Sequence, residues 1–242
     1  MIFVFGSNIA GIHNKGSALF AKKYYNAVQG IGEGLQGNSY ALPTKIEPYV
    51  LMTLDQVRGS VNRFKEFANS RPDLTFQVTK VGCNNAGFKE EDIIPLFKDA
   101  PSNCLLPGMW LKKSNPDMVR LIVAGSRDYE DKSFIYKMLD FYTSKINDKR
   151  KNLTIVSGLA RGPDSIGIDY AGDNNLNWKE FPADWDKYGK SAGYIRNYEM
   201  AWYSTHCITF YNGSSSGTKS MIELAGKEGL CSRVVLIDCN KT

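Results

Sequence analysis

Histidine is almost missing from this chain: His13 and His206 are the only two among 242 residues. They stand far apart, which leaves little material for a His/Cys zinc site or a histidine-based triad, and no metal is expected. Cys83, Cys104, Cys207, Cys231 and Cys239 are odd in number and form no Cys-x-x-Cys pair. Reduced thiols in a cytosolic protein fit that usage better than a disulfide framework. No apolar run reaches the roughly 18 residues of a membrane span, and the N-terminus lacks a signal peptide's basic region. The expected setting is the cytoplasm, with no membrane partner. Dense Lys/Arg blocks with interleaved aromatics are missing too. The net charge of +5 is spread along the chain, so nucleic acid is permitted as a partner but not indicated.

What is present is ordinary globular composition, 43% apolar and 23% charged, in a length that suits one large or two ordinary domains. Turn residues concentrate between Ala100 and Asp117. A boundary at Lys113 to Pro116 predicts an N-terminal domain over 1–113 and a C-terminal domain over 117–242. In the first, strands are expected at Ile2–Phe5, Ser39–Leu42, Leu74–Val81 and Cys104–Leu106. Helices are expected over Ser17–Val28 and Glu91–Phe97, and after Thr53 and Gln56, which have capping-box spacing. Leu54, Val57, Val61, Phe64 and Phe67 then line one helical face. Gly32-Glu-Gly-Leu-Gln-Gly37 satisfies the G-x-G-x-x-G pattern, but no strand immediately precedes it and no helix follows, so it reads as a flexible loop.

The second half is more regular. Strands are expected at Val119–Ala124, Leu153–Val156, Trp178–Phe181, Cys207–Tyr211 and Val234–Asp238. Helices fall between them: an amphipathic one from Phe134 to Ile146, one starting near Ser165, then Ser191–Tyr203 and Gly217–Gly229. That alternation predicts a Rossmann-like doubly wound parallel sheet, whose ligands sit at the carboxyl ends of the strands. The glycine motifs at Gly125, Gly158 and Gly213 all fall at such ends.

The richest of these is Ser157-Gly-Leu-Ala-Arg-Gly-Pro-Asp164. A strand, a glycine turn and a helix start present backbone N–H groups beside a positive helix end, which favours phosphate. Arg161 adds a fork of donors suited to the same anion. The alternative is a tight βα turn carrying a surface arginine. Candidate phosphate contacts are Ser126, Arg127, Gly158, Arg161, Gly213, Ser214, Ser215, Ser216, Gly217 and Thr218, through N–H groups, hydroxyls and guanidinium, with Gly125 and Asp164 as further ligand-binding candidates. Plain turn geometry is the other reading of the glycines. Lys190 and Arg196 flank a loop containing Trp185 and Tyr188, where cation and aromatic enclose a base or ribose, or the aromatics simply cover the core; Asn197 is a further ligand-binding candidate.

These motifs, with Pro182-Ala-Asp-Trp185, Gly189-Lys-Ser-Ala-Gly193 and Arg196-Asn197, occur in the order found in the YspA-type branch of the SLOG superfamily, which residues 119–238 resemble. The resemblance implies a Rossmann-like domain that binds nucleotides or nucleotide-derived signals, often as a homodimer or larger assembly. Related LOG hydrolases cleave a nucleotide's N-glycosidic bond with an arginine and a glutamate. Arg196 matches the arginine, but Met221 stands at the glutamate's position. Glu223, two residues on, lies about 200° around a helix. A hydrolase needs a carboxylate, so this departure favours binding. Asp164, Asp184 or Asp186 are the substitutes if hydrolysis occurs.

In the first half, Phe3-Val-Phe-Gly-Ser-Asn8, Gly11, Gly16, the stretch Gly34–Lys45 and Val81-Gly-Cys-Asn-Asn-Ala-Gly-Phe88 resemble a phage-associated, macro-domain-like family. That resemblance implies an α/β/α module for ADP-ribose. Gly6, Ser7, Asn8 and Gly11 would form one ligand loop, and Gly82, Asn84, Asn85, Gly87 and Phe88 the other. Lys45 fits the lysine of the de-ADP-ribosylating members, but Ala86 replaces their aspartate. Asn85 contacts a ribose, or is a left-handed turn residue. The ligand classes of the two resemblances overlap in NAD-derived nucleotides. The leading expectation is a sensor or sequestering protein with no required cofactor, in a phage setting one that intercepts a defence signal in the host cytoplasm. A nucleotide glycosidic or ADP-ribosyl hydrolase using Arg196, Glu223 or Lys45, and a DprA-like nucleic-acid-binding module, are the alternatives.

Overall fold

The computed structural model describes residues 1–83, 85–146 and 152–238. The chain divides into two compact units, Met1–Trp110 and Leu111–Thr242. The division falls inside helix α4 (Gly108–Ser114), in a stretch where the sequence showed turn residues and no helix. Its apolar content, Met109, Trp110 and Leu111, is too short for a helical period to stand out.

The N-terminal unit is built on a mixed sheet. Strands β1 (Ile2–Asn8), β2 (Gly34–Gln36), β3 (Ser39–Glu47), β5 (Phe76–Val78) and β6 (Cys104–Leu105) lie in the order β2-β3-β1-β5-β6, and β4 (Val50–Leu51) pairs with β3. β3, β1, β5 and β6 run parallel. Helix α2 (Leu54–Ser70) begins with the expected capping box at Thr53 and Gln56. It packs Val57, Val61 and Phe64 on Val4, Leu42, Phe76 and Val78. Helix α1 (Gly16–Tyr24) covers the other face, where Phe20 meets Phe3 at 5.4 Å between ring centroids. It stops short of the expected Val28 because Asn26 turns left-handed, at φ +57°. A helix, α3 (Glu90–Ile93), tightens into a 3-10 turn over Ile94–Phe97, where Pro95 cannot donate to a continuing helix. The Gly32–Gly37 segment is not a loop throughout: Gly34–Gln36 forms β2, antiparallel to β3.

The C-terminal unit is the doubly wound sheet its pattern predicts. Strands β7 (Val119–Gly125), β8 (Leu153–Ser157), β9 (Asn177–Glu180), β10 (His206–Tyr211) and β11 (Cys231–Leu236) are all parallel, in the order β11-β10-β7-β8-β9. Helices α5 (Lys132–Ile146), α6 (Pro163–Asp173), α8 (Ala192–Tyr203) and α9 (Ser216–Lys227) connect them, with the single turn α7 (Trp185–Tyr188) before α8. Leu121, Val123, Ile155, Ile208 and Phe210 from the central strands meet Ile135, Leu139 and Tyr170 from the helices. Burial on both faces explains why these strands read as continuous apolar runs rather than alternating ones. Gly167 lets α6 lie close on β7, since a Cβ there would come within 2.9 Å of the Val123 Cβ. The winding reverses between β7 and β10. The loops leaving those two strands therefore diverge and open a crevice at their carboxyl ends.

Candidate functional site at the strand ends of the C-terminal unit

The loops after β7 and β10 are joined across the reversal point. Ser126 donates its N–H to the Phe210 carbonyl at 2.9 Å. Its hydroxyl then accepts the Asn212 N–H at 3.2 Å. Ser126 is buried while Arg127 next to it is exposed, so one residue fixes the loop and its neighbour is free to meet a solute. Close packing leaves no room for a side chain at Gly125, whose Cβ would come within 2.8 Å of the Phe210 carbonyl oxygen.

The turn after β8 is closed by its own residues. Asp164, in the first turn of α6, is 4% exposed and folds its carboxylate back into the loop. It accepts the Gly125 N–H at 3.2 Å, and the nearby Gly158 and Ala160 amides favour its charged form. The Leu159 N–H goes to the Ser157 hydroxyl at 3.1 Å, and that hydroxyl donates to the Asp164 carbonyl at 2.7 Å. The amides that would cradle a phosphate thus already hold an anion. Burial pushes the Asp164 carboxyl up to about 6, against the opposing pull of Arg196 and these amides.

Arg196, on α8, is also turned inward. It is 8% exposed, donates through Nη1 to the Gly158 carbonyl and stands 3.9 Å from the Asp164 carboxylate. Its Nε has no hydrogen-bond partner among the described residues. Desolvation lowers its pKa, as expected for a cation taken from water. A methyl group at Gly158 would collide with this guanidinium, so Gly158 is needed for the arginine to lie there. Arg161 points outward at the tip of the same turn, with Asp128 4.0 Å away and both side chains about four-fifths exposed.

The turn after β10 is built differently. Asn212 Oδ1 accepts the N–H groups of Ser214 at 3.1 Å and Ser215 at 3.0 Å, which shapes the loop. Ser215 caps α9 by accepting the Thr218 N–H at 3.3 Å. The Ser216 and Gly217 amides remain in the first turn, which has no intrahelical acceptor for them. Ser214, Ser216 and Gly217 are exposed, and none of the described residues lies within 4 Å of where a Cβ would stand on Gly213 or Gly217. Asn197 of α8 steadies this turn by donating to the Gly217 carbonyl at 3.2 Å.

Of the residues singled out from sequence, the structure brings Gly125, Ser126, Gly158, Asp164, Arg196, Asn197 and the Gly213–Thr218 loop into this one end of the sheet. Trp185 is half-exposed and lies over Gly193, where a Cβ would be 3.6 Å from its ring. Lys190 is exposed in a 3-10 turn after Tyr188. Met221 is buried and Glu223 exposed on α9, the opposite facing that their spacing implies. Sequence reasoning missed Asn212, whose signal was its place before Gly213 at the end of a strand. It also missed that Asp164 and Arg196 satisfy groups of the same loop.

In the N-terminal unit the two expected ligand loops do adjoin. A Cβ on Gly6 would stand 3.6 Å from the Gly82 nitrogen, and one on Gly16 would stand 2.6 Å from Asn85 Nδ2. Much of their polar capacity is used internally. Asn8 is buried, donates to the Ile12 carbonyl at 2.8 Å and accepts its N–H at 3.0 Å; the Ser7 hydroxyl donates to Gly32. Gly11 packs on Gly30, whose N–H it accepts at 2.8 Å. Lys45 donates to the Pro48 carbonyl at 3.1 Å. The Gly82 carbonyl accepts the Phe88 N–H at 3.0 Å, and nothing crowds Gly87. Asn84 lies outside the described residues. No cluster of three or more metal-ligating side chains occurs among those described, and no helix there is long and apolar enough to cross a membrane.

Comparison with known proteins finds a family match within the C-terminal unit. Residues 119–188 match the model of the "YspA, cpYpsA-related SLOG family", from β7 through α7. The Gly213–Thr218 loop and Arg196 lie beyond the matched span. The "Gene 61 protein" of Mycobacterium phage D29 is 32% identical over 119 residues, which amounts to 47% of this chain and 93% of that protein. The C-terminal unit therefore carries a YspA, cpYpsA-related SLOG match over residues 119–188, which points to a nucleotide-related function, and the chain is a distant homologue of a phage protein.

Proposed function

We propose that the C-terminal unit binds the phosphate of a nucleotide at the carboxyl ends of β7 and β10, and that the protein is a receptor rather than a catalyst. One observation carries this reading. The start of α9 is open, with Ser216 and Gly217 exposed, while the neighbouring turn is filled by Asp164. A helix start of this kind attracts an anion through its free N–H groups and the helix dipole. Arg127, exposed after β7, supplies the second charge.

Three residues weigh against the hydrolytic alternative. Met221 occupies the α9 position, Glu223 faces away, and Asp164 is committed to backbone amides. By the resemblances of its two halves, the favoured ligand is an NAD-derived or ADP-ribose-like molecule, held as a signal or sequestered, with a defence signal as the natural target of a phage protein.

The test is to incubate the protein with ADP-ribose, NAD, cyclic ADP-ribose isomers and nucleoside monophosphates, then weigh bound and free pools by mass spectrometry. Intact ligand retained at stoichiometry supports a receptor. Turnover beyond one equivalent would sink it in favour of the hydrolase. Tight single-strand DNA binding without any nucleotide bound would transfer support to the nucleic-acid reading.

A further inference from the structure

The two edges of the C-terminal sheet are not alike. β9 ends it on one side with Asn177-Trp-Lys-Glu180, half of it charged. Charges on an edge strand discourage pairing with another chain. β11 ends the sheet on the other side with Cys231-Ser-Arg-Val-Val-Leu236. It follows β10 without a bulge and contains no proline. Val234 is 43% exposed and Leu236 78%. Arg233, its one charge, is drawn over the Phe141 ring of α5, 5.4 Å from the centroid.

Hydrogen bonding divides the strand into two sets. The Cys231 N–H goes to the Thr205 carbonyl at 3.1 Å and the Ile237 N–H to the Tyr211 carbonyl at 3.0 Å, both toward β10. Backbone groups of successive residues in a strand point alternately to its two sides. Arg233 and Val235 therefore face β10 as well, while the N–H and C=O groups of Ser232, Val234 and Leu236 point away from the sheet. Among the described residues no second strand pairs with β11. The side chains of those three residues also share a face, opposite to Val235 and Ile237, which pack on the core. Open backbone groups and exposed apolar side chains thus belong to the same residues.

We propose that β11 pairs antiparallel with β11 of a second copy, about a two-fold axis at Val235, and so joins two five-stranded sheets into one. Such an axis keeps each side chain on its own face, so even positions meet even and odd meet odd. Centred on Val235, it sets Val234 opposite Leu236 of the second copy, and Leu236 opposite Val234. Each of these pairs exchanges its outward N–H···O=C bonds, and the exposed apolar side chains cover one another. The two Arg233 residues then stand four positions apart along the strands, roughly 14 Å. Centring on Val234 would make them diagonal neighbours, and centring on Leu236 would set Val234 against Asp238. A second copy fits this edge because the strand complements itself in hydrogen-bond parity, apolar pairing and charge.

A contact of one strand from each copy is small beside the roughly 800 Å² per partner of a standard interface, so the dimer should dissociate on dilution. The paired strands run in opposite directions, so the carboxyl ends of the two sheets open on opposite sides and each copy keeps its own crevice. The pairing is independent of the ligand reading.

Sedimentation velocity of the whole chain over a dilution series is the test, and a reversible monomer–dimer equilibrium is expected. Leu236→Lys places a charge in the pair without touching the core. It should weaken dimerisation at least about 10-fold with Tm unchanged. Trp178→Lys adds the same charge to the β9 edge and should leave the equilibrium as it was. Register is read with Val234→Cys and Leu236→Cys, each in a background of Cys231→Ser and Cys239→Ser. Mixed and treated with oxidised glutathione, the two should form a disulfide-linked dimer. Neither should do so alone, because like positions lie too far apart for a bridge. A wild-type chain that stays monomeric at its highest soluble concentration would overturn the proposal and leave this edge to a strand of another protein. A dimer indifferent to Leu236→Lys, or one broken by Trp178→Lys, would overturn it by placing the interface elsewhere. A link formed by Val234→Cys alone would overturn the register.

Discussion

Two turns at one end of the C-terminal sheet look alike in sequence and differ in what they leave open. Ser157–Asp164 and Gly213–Thr218 both follow a central strand, carry two glycines and lead into a helix. The first closes on itself, because Asp164 brings a carboxylate into the loop and Arg196 fills the space above Gly158. The second uses a neutral amide, Asn212, to shape the loop, and keeps the first amides of α9 at the surface. A glycine-rich βα turn is thus an anion site only where the chain has not supplied the anion itself.

The largest break in this comparison should come from Asp164→Ala. Truncating one member of a buried charged pair strands the other, at a cost of about 3–5 kcal/mol. Urea unfolding should show a loss of that order for the C-terminal unit. Asp164→Asn should cost less, since it also removes the carboxylate but keeps an oxygen that can accept the Gly125 N–H.

Next comes the pair of glycines. Gly158→Ala drives a methyl group into Arg196 and should cost about 1–3 kcal/mol, the usual range for overpacking. Gly217→Ala meets open space within a helix and should change stability by less than about 1 kcal/mol, in the stabilising direction. Thermal unfolding of the two variants side by side checks the contrast, and equal losses would erase it.

A smaller effect concerns pH. The Asp164 carboxyl is raised from its ordinary 3.8 to about 6 in the folded chain, so the folded state binds more protons within that window. Its contribution to stability is then fullest below the window and is lost as pH rises through about 6. His13 and His206 act in the opposite sense, because burial lowers their pKa values and their contribution falls as the medium becomes more acid. Subtracting the Asp164→Asn stability curve from the wild-type curve isolates the carboxyl. The difference should decline between pH 4 and 6, and a flat or rising one would remove Asp164 as a buried acid.

The smallest expected effects are on binding. Arg127→Ala should weaken a nucleotide about 10-fold, as for the loss of a charge-assisted hydrogen bond. Arg161→Ala should matter less, because its turn is already saturated and the side chain is mostly in solvent. Isothermal titration with ADP-ribose would rank them, and the reverse order would return the ligand to the Ser157–Asp164 turn.

Much of the C-terminal fold was legible because strands buried on both faces and amphipathic helices leave long, regular signals. The N-terminal unit was harder. β2 and β4 are three and two residues long, too short for a period, and α4 is hidden among Pro107, Gly108 and Pro116. The site divides in the same way. The glycines and Arg127 stand out in sequence, whereas the pairing of Asp164 with Arg196 spans 32 positions and depends on α8 bringing Arg196 against the turn after β8.

The most direct measurement is to follow the backbone amides of both turns while ADP-ribose is added. The Ser216 and Gly217 resonances should move and saturate, while those of Gly158 and Ala160, in the turn that Asp164 closes, stay in place. Movement of Gly158 and Ala160 with Ser216 and Gly217 unmoved would contradict the account.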